Sequence, residues 1–144
     1  IWWEEMPLAE VALYLILKAL ASRPAADVLY DYFVRNLGVR EVARKHNISK
    51  DRVRGYIERV REKSFCNTYR ARAYIRVLYP HIKKIKPVIE ISDGMCRCKL
   101  CGATLYARQA ELHLVMSHRD IVASYLDAIL EAVKEEWNNN RMAR

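Results

Sequence analysis

The segment Val39-Arg-Glu-Val-Ala-Arg-Lys-His-Asn-Ile-Ser-Lys-Asp-Arg-Val-Arg-Gly-Tyr-Ile57 carries the strongest local signal for the fold. Ala43 is small enough to let a second helix cross the first closely. Asn47, four residues later, suits a turn that needs a positive φ, because Asn tolerates this conformation better than any residue except Gly. Ser49 has the hydroxyl that caps a following helix. The pattern predicts two short helices joined by a tight turn.

Apolar residues at helical spacing predict further helices along most of the chain. The composition agrees, because 52% of the residues are hydrophobic while Gly and Pro each occur only 4 times. We place Gly38 as the left-handed end of the second helix and Pro80 as the end or kink of the fifth. The predicted helices are 7–21, 25–36, 39–46, 49–62, 69–79, 107–118 and 121–137, and the predicted β segments are 88–91 and 95–99.

Basic residues are concentrated in the middle of the chain. The net charge is +8, but residues 35–86 alone carry 16 Lys and Arg against 4 Asp and Glu. The flanking segments are slightly acidic, with a net charge of −3 for residues 1–34 and −1 for residues 87–144. Such a block favours a polyanionic partner, above all nucleic acid. A merely solvated face, or one that meets an acidic protein, would give the same pattern.

The stretch from Glu41 to Arg54 resembles the helix-turn-helix family of DNA-binding proteins, and in particular region four of bacterial sigma factors, which binds a promoter element. The resemblance implies that the second helix enters the major groove of double-stranded DNA. It implies base contacts from Ser49, Lys50, Asp51, Arg54 and Gly55, with Arg52 within reach of bases or backbone. It implies phosphate contacts from Arg40, Arg44, Lys45, Arg59 and Arg61.

Four residues farther along the chain have the chemistry and spacing of a metal site. Cys98 and Cys101 are separated by two residues, Cys101 and His113 by eleven, and His113 and His118 by four. Thiolate and imidazole are preferred ligands of Zn²⁺, and four of them complete a tetrahedral structural site. We therefore predict zinc bound by Cys98, Cys101, His113 and His118. Cys96 is a rival ligand, and Cys66 is expected to be a buried apolar residue.

This cysteine and histidine segment resembles the Cys2His2 zinc-finger family, which has about twelve residues between the inner Cys and His. The resemblance places Tyr106, Gln109 and Leu112 at the base-reading positions, with Arg108 between them. Leu112 has no group that can hydrogen-bond a base, and Ala110 replaces the usual core leucine. We therefore expect a structural or docking role for the finger rather than direct reading of DNA.

The predicted fold is mainly α, with a helical domain at residues 1–86 that contains the helix-turn-helix at 39–61. Residues 87–144 are expected to form a small ββα zinc finger (95–118) followed by an amphipathic C-terminal helix (120–138). The apolar stripe of this last helix either packs on the N-terminal helices or pairs two copies of the chain in a homodimer. We see no run long and apolar enough for a membrane span, and no secretory signal.

The leading functional prediction is a sequence-specific DNA-binding protein that regulates transcription and is not an enzyme. One alternative is a protein-interaction or assembly factor that uses the finger and the last helix. Another is the DNA-binding part of a larger recombination or replication enzyme. RNA binding is less favoured, because the aromatic residues form no recognisable stacking platform. Metal-type cysteine usage favours a reducing, intracellular setting, and the motif combination resembles small regulators of archaea and their viruses.

Overall fold

The structure is a computed structural model that describes residues 2–142, with side chains described for residues 7–139. This part of the chain forms seven helices, one 3₁₀ turn at Ala107–Gln109 and a three-stranded antiparallel sheet. The helices are α1 (Trp2–Leu20), α2 (Ala25–Phe33), α3 (Val39–His46), α4 (Lys50–Lys63), α5 (Thr68–Ile82), α6 (Ala110–Ser117) and α7 (Arg119–Met142). The strands are β1 (Ile89–Ser92), β2 (Met95–Cys98) and β3 (Thr104–Tyr106), and they pair in the order β1-β2-β3.

The prediction of a mainly helical chain with a small β element is confirmed. Strand β3 was not predicted, because three residues are too few to show an alternating pattern. The predicted end of the fifth helix at Pro80 is wrong, since α5 continues to Ile82. Leu78 and Ile82, which lie on either side of Pro80, are both buried, and this packing holds the last turn against the core.

Gly38 is not the left-handed end of the second helix, as the sequence suggested. Its φ is −72°, and it precedes α3 with extended backbone. Asn36 adopts the left-handed conformation instead, with φ 59°. The amide of Leu37 then donates to the carbonyl of Asp31, which closes the end of α2. The turn chemistry was recognised correctly, but it was assigned to a residue two positions too late.

Helix α1 lies at the centre of the molecule and contacts α2, α4, α5, α6 and α7. Its inward residues Val11, Leu15, Ile16 and Leu20 are almost completely buried. Apolar area removed from water is the main favourable contribution to folding, so a helix that buries side chains against five neighbours organises the whole core.

Helix α7 packs against α1, α5 and α6. Val122, Ile129 and Val133 of its apolar stripe are buried, whereas Trp137 is 60% exposed. Most of the stripe is therefore covered by this chain's own helices, which is the first of the two fates expected for it. The described helices include none with the length and hydropathy that would let it cross a bilayer.

The sheet and α6 share a single buried cluster with the N-terminal helices. Cys96, Cys98 and Leu114 belong to the same cluster as the buried residues of α1. The backbone continues this connection, because the amide of Val88 donates to the carbonyl of Leu20 over 3.0 Å. The division at residue 86 falls between α5 and β1, and the two predicted domains meet across an apolar interface.

Candidate nucleic-acid interface and candidate metal centre

The turn between α3 and α4 has the geometry that its residues suggested. Asn47 is left-handed, with φ 54° and ψ 47°. The amide of Ile48 donates to the carbonyl of Ala43 over 3.1 Å. Ser49 Oγ accepts a hydrogen bond from the amide of Arg52 over 3.1 Å and so caps α4. These bonds satisfy backbone groups that a helix end leaves free, and they fix the angle between the two helices.

The inner faces of α3 and α4 are apolar. Val42, Ala43, Val53, Tyr56 and Ile57 are buried in the common core. Spacings of three and four residues place these side chains on one side of each helix. The polar residues between them consequently point away from the core.

The outer face of the pair is open to solvent. A Cβ added to Gly55 would meet no atom within 4 Å, so the surface at this position is unobstructed. Arg61 is half-buried, and its Nη2 lies 3.4 Å from Thr68 Oγ1. The remaining predicted DNA-contact residues are all exposed: Arg40, Arg44, Lys45, Ser49, Lys50, Asp51, Arg52, Arg54, Gly55 and Arg59.

Arg54, the predicted base reader, forms one weak intrahelical ion pair. Its Nη1 lies 3.4 Å from Asp51 Oδ1, and the two side chains are 60% and 96% exposed. An exposed pair of this kind contributes little to stability because water screens it. Arg54 can therefore exchange Asp51 for another acceptor at low cost.

Asp31 is a buried carboxylate that the sequence analysis did not single out. It is only 3% exposed, and its Oδ2 lies 2.7 Å from His46 Nε2 and 3.0 Å from Lys45 Nζ. Arg35 Nη1 approaches Oδ1 at 3.5 Å. Burial raises the pKa of Asp31, but hydrogen bonds from His46 and Lys45 outweigh it and hold the pKa below its ordinary value. The cluster connects the end of α3 to α2. One of its members, Lys45, is a residue predicted to contact phosphate, and here it pairs with Asp31.

The four predicted metal ligands converge on one point. Their ligand atoms all lie within 4.8 Å of one another. Cys98 Sγ is 3.4 Å from His118 Nε2, and Cys101 Sγ is 3.4 Å from His113 Nε2. Tetrahedral zinc with its usual bond lengths would hold sulfur and nitrogen about 3.5 Å apart. The donor set is thus positioned to hold a metal ion and is compatible with zinc.

Local backbone geometry explains why the ligands meet. Cys98 ends β2, and Gly102 follows with φ 79°, a conformation that glycine adopts without strain. The Gly102 amide donates to the Cys98 carbonyl over 2.7 Å, which turns Cys101 back toward Cys98. His113 lies within α6, whereas His118 lies just beyond its end with φ −130°. This loosened end accommodates the five-residue step between the histidines.

The other two cysteines lie outside the ligand set. Cys96 is buried in β2 opposite Leu105 and is not part of the cluster. The expectation that Cys66 is buried is wrong, because Cys66 is exposed. It occupies a left-handed position, φ 55°, in the turn after α4, where its side chain points to solvent.

Lys18 of α1 connects the metal-ligand region with α4. Its Nζ lies 2.8 Å from Glu111 Oε2 on α6. The same ammonium lies 5.8 Å from the ring centroid of Tyr56 on α4 and 5.3 Å from that of Tyr14. Burial raises the pKa of Tyr14, with smaller contributions from Tyr56 and Glu111, so the phenol stays neutral. Sequence spacing gives no indication of this junction.

The outer surface of the metal-ligand region exposes three large apolar side chains among charged and polar residues. Tyr106, Leu112 and Met116 are 54%, 64% and 69% exposed. Gln109 is turned inward on its own turn, because its Oε1 accepts a hydrogen bond from the Tyr106 amide over 3.2 Å. The guanidinium of Arg108 covers the Tyr106 ring at 5.3 Å. Of the predicted base-reading residues, Leu112 has no hydrogen-bonding group and the amide oxygen of Gln109 is already engaged.

No family model matches this chain, and no curated protein or solved structure matches it either. The geometry described above is therefore the basis for any functional conclusion.

Proposed function

We propose that this chain is a sequence-specific double-stranded DNA-binding protein that regulates transcription, with α3 and α4 acting as a helix-turn-helix. The observation that carries the proposal is the open polar face at the start of α4, from Ser49 to Gly55, beside a buried apolar face. The start of a helix carries the positive end of the helix dipole, which favours a nearby phosphate. Lys50 and Arg54 are the residues that would meet base edges.

The charge around α4 supports the same proposal. Arg40, Arg44, Arg52 and Arg59 are exposed. Residues 39–63 hold nine Lys and Arg against four Asp and Glu, so this segment has a net positive charge. Lys and Arg at phosphates release condensed counterions, so affinity should fall steeply as salt is raised. These contacts would set the register, and Arg54 would supply discrimination through a bidentate contact to guanine.

For the metal centre, we propose a structural zinc within a ββα finger built from β2, β3 and α6. Two thiolates and two imidazoles form a closed set of four ligands, with no position left for substrate. Cys98 is buried while Cys101 is exposed, so the ion would lie at the boundary between the core and solvent. Zinc would connect the sheet to α6. Because the sheet and α6 each have few buried side chains, this connection would stabilise both.

The proposal is tested by selecting bound duplexes from a random pool at fixed salt and measuring affinities by fluorescence anisotropy. Arg54→Ala should reduce the preference for the selected sequence by about 1–3 kcal/mol and relax specificity at one or two positions. Arg97→Ala removes the same charge from an exposed position on β2 and should leave that preference intact. Equal affinity of the wild-type chain for selected and random duplexes would refute sequence-specific binding.

A protein partner bound through the finger is the second candidate function. The observation that favours it is the exposure of Leu112 and Met116 on one side of α6, four residues apart. Apolar residues on an outer helix face are typical of protein contacts. Replacing both with Ala should leave duplex binding unchanged under the first proposal. A loss of transcriptional regulation with intact DNA binding would favour the second.

A further inference from the structure

The corner between α4 and α5 exposes two aromatic rings within the basic part of the chain. Phe65 is 67% exposed and Tyr69 is 80% exposed. The sequence pattern does not predict this aromatic pair, because a single Phe in a turn and a single Tyr at the start of a helix are common in buried positions. Large apolar rings in water carry a cost, so their exposure at one corner calls for a physical explanation.

The turn that carries Phe65 is firmly structured. Phe65 and Cys66 both have φ 55°, a conformation that non-glycine residues rarely adopt. The amide of Cys66 donates to the carbonyl of Arg61 over 2.8 Å. Asn67 Oδ1 accepts a hydrogen bond from the Arg70 amide over 3.0 Å and so caps α5. Hydrogen bonds on both sides of the turn thus hold the Phe65 ring outside the core.

One arginine lies beside each ring, and Nε of Arg72 also donates to the carbonyl of Phe33 over 2.8 Å. The guanidinium carbon of Arg70 lies 5.3 Å from the Phe65 ring centroid, and that of Arg72 lies 5.8 Å from the Tyr69 ring centroid. Residues 59–76 contain six Lys and Arg but only one Asp or Glu. An exposed ring offers a nucleic-acid base a surface for stacking, and a cation beside it can meet the attached phosphate.

We propose that this corner binds unpaired bases of a nucleic acid by stacking them on Phe65 and Tyr69. Every base has a π-face, so stacking needs no particular sequence, while the arginines meet the phosphates. The inference rests on the proposed nucleic-acid function but not on the reading of a major groove by α4. An acidic protein surface would satisfy the charges but would not need two exposed rings.

The position of the corner relates it to the first site. Fourteen residues of α4, from Lys50 to Lys63, separate the groove-reading end from Phe65. At a rise of 1.5 Å per residue this helix is about 21 Å long, roughly the length of six base pairs. A nucleic acid with a paired segment at the start of α4 and an unpaired segment at the corner would have to span about this distance.

The experiment compares two probes that share the selected duplex. One is fully paired, and the other continues into a single-stranded thymidine tract with 2-aminopurine next to the junction. Phe65→Ala/Tyr69→Ala should weaken binding of the extended probe by roughly tenfold and abolish the change in 2-aminopurine fluorescence. Affinity for the paired probe and the salt dependence of binding should not change, because no charge is removed.

Tyr69→Phe is the matched variant, since it keeps the ring and should retain both the affinity and the fluorescence change. Thermal melting shows whether the variants remain folded. Equal losses on both probes, or no loss on either, would overturn the inference. If the wild-type chain binds the extension through its rings but has no duplex preference that depends on Arg54, the proposed function fails and the stacking site stands. If the duplex preference depends on Arg54 while the rings have no effect, only the stacking site fails.

Discussion

The α3–α4 pair and the metal-ligand region differ in how they are held together and in the surface that they expose. Each is too small to fold alone, and each must present a defined surface. The pair buries Val42, Val53 and Ile57 in the common core and closes its turn with backbone hydrogen bonds. The metal-ligand region buries Cys98 and Leu114 and brings together four side chains that could hold a metal ion.

Their outer surfaces differ as well. The pair exposes lysine and arginine around Arg54, whereas the metal-ligand region exposes Tyr106, Leu112 and Met116. A surface of the first kind suits a polyanion, and one of the second kind suits an apolar partner. The comparison shows two surfaces of different chemistry on one shared core, one basic and one with exposed apolar side chains.

Metal removal should have the largest effect of the changes considered, and it should affect the metal-ligand region before the α3–α4 pair. Ligation contributes on the order of 10 kcal/mol in isolated zinc-finger peptides, which is comparable to the whole stability of a domain. We expect a strong chelator to lower the melting temperature by about 10 °C or more. In hydrogen exchange, β2 and α6 should lose protection first, while α3 and α4 keep theirs longest.

Cys101→Ser should reproduce the effect of the chelator and remove the bound metal. Cys66→Ser is the matched control, because Cys66 is also exposed but lies outside the ligand cluster. It should change neither metal content nor melting temperature. Full metal binding by Cys101→Ser, or an identical loss of protection in all helices, would contradict the expectation that a metal ion stabilises β2 and α6 more than α3 and α4.

Replacing Asp31 should have an intermediate effect on stability, and the effect should be confined to the part of the molecule that contains α3 and α4. Its folded-state pKa is lowered by hydrogen bonds from His46 and Lys45 in spite of its burial. The stability it contributes is therefore complete above the ordinary pKa of an aspartate, about 3.9, and is lost as the pH falls through the lowered value. Asp31→Asn should cost about 1–2 kcal/mol at neutral pH, because Lys45 and Arg35 are half in solvent.

Urea unfolding as a function of pH checks this expectation. Stability of the wild-type protein should decline at acid pH more steeply than that of Asp31→Asn. Asp51→Asn is the control, since Asp51 is 96% exposed and pairs only weakly with Arg54. Parallel curves for the wild type and Asp31→Asn would show that the carboxylate does not anchor α3.

Local chemistry made part of this structure predictable. Asn47 and Ser49 specify a turn and a cap within four residues, and the cysteine and histidine spacing specifies a ligand set within 21 residues. The turn and the ligand set are each formed by residues close together in the sequence, so local backbone conformation determines their geometry. The apolar periodicity of α7 likewise predicted its buried face, although not which helices would cover it.

Long-range contacts were not predictable in the same way. Asp31 lies 15 residues from His46, and Lys18 lies 93 residues from Glu111. No pattern along the chain marks such pairs, because packing of separate helices brings them together. The exposure of Phe65 was missed for a related reason, since two consecutive left-handed residues have no signature when neither is Gly or Asn.

Substitutions in the turn at Asn47 should have the smallest effect on the free energy of unfolding. They can be compared directly with the same substitution at Asn36. Asn47→Ala forces a residue with no compensating side chain into a left-handed position, at a cost of about 1 kcal/mol. Asn47→Gly removes that strain but adds freedom to the unfolded chain, so its net effect should be a few tenths of a kcal/mol. Asn36 has almost the same φ, 59°, but it lies before α3, outside the proposed reading element.

Substitution of either Asn by Ala should therefore lower the free energy of unfolding by similar amounts. Only the change at Asn47 lies between the two helices, where it alters the angle at which α4 is presented. Asn47→Ala should reduce affinity for the selected duplex at temperatures where the protein is still fully folded, whereas Asn36→Ala should not. Equal affinities would mean that the angle between α3 and α4 does not control DNA binding, even if the turn stabilises the fold.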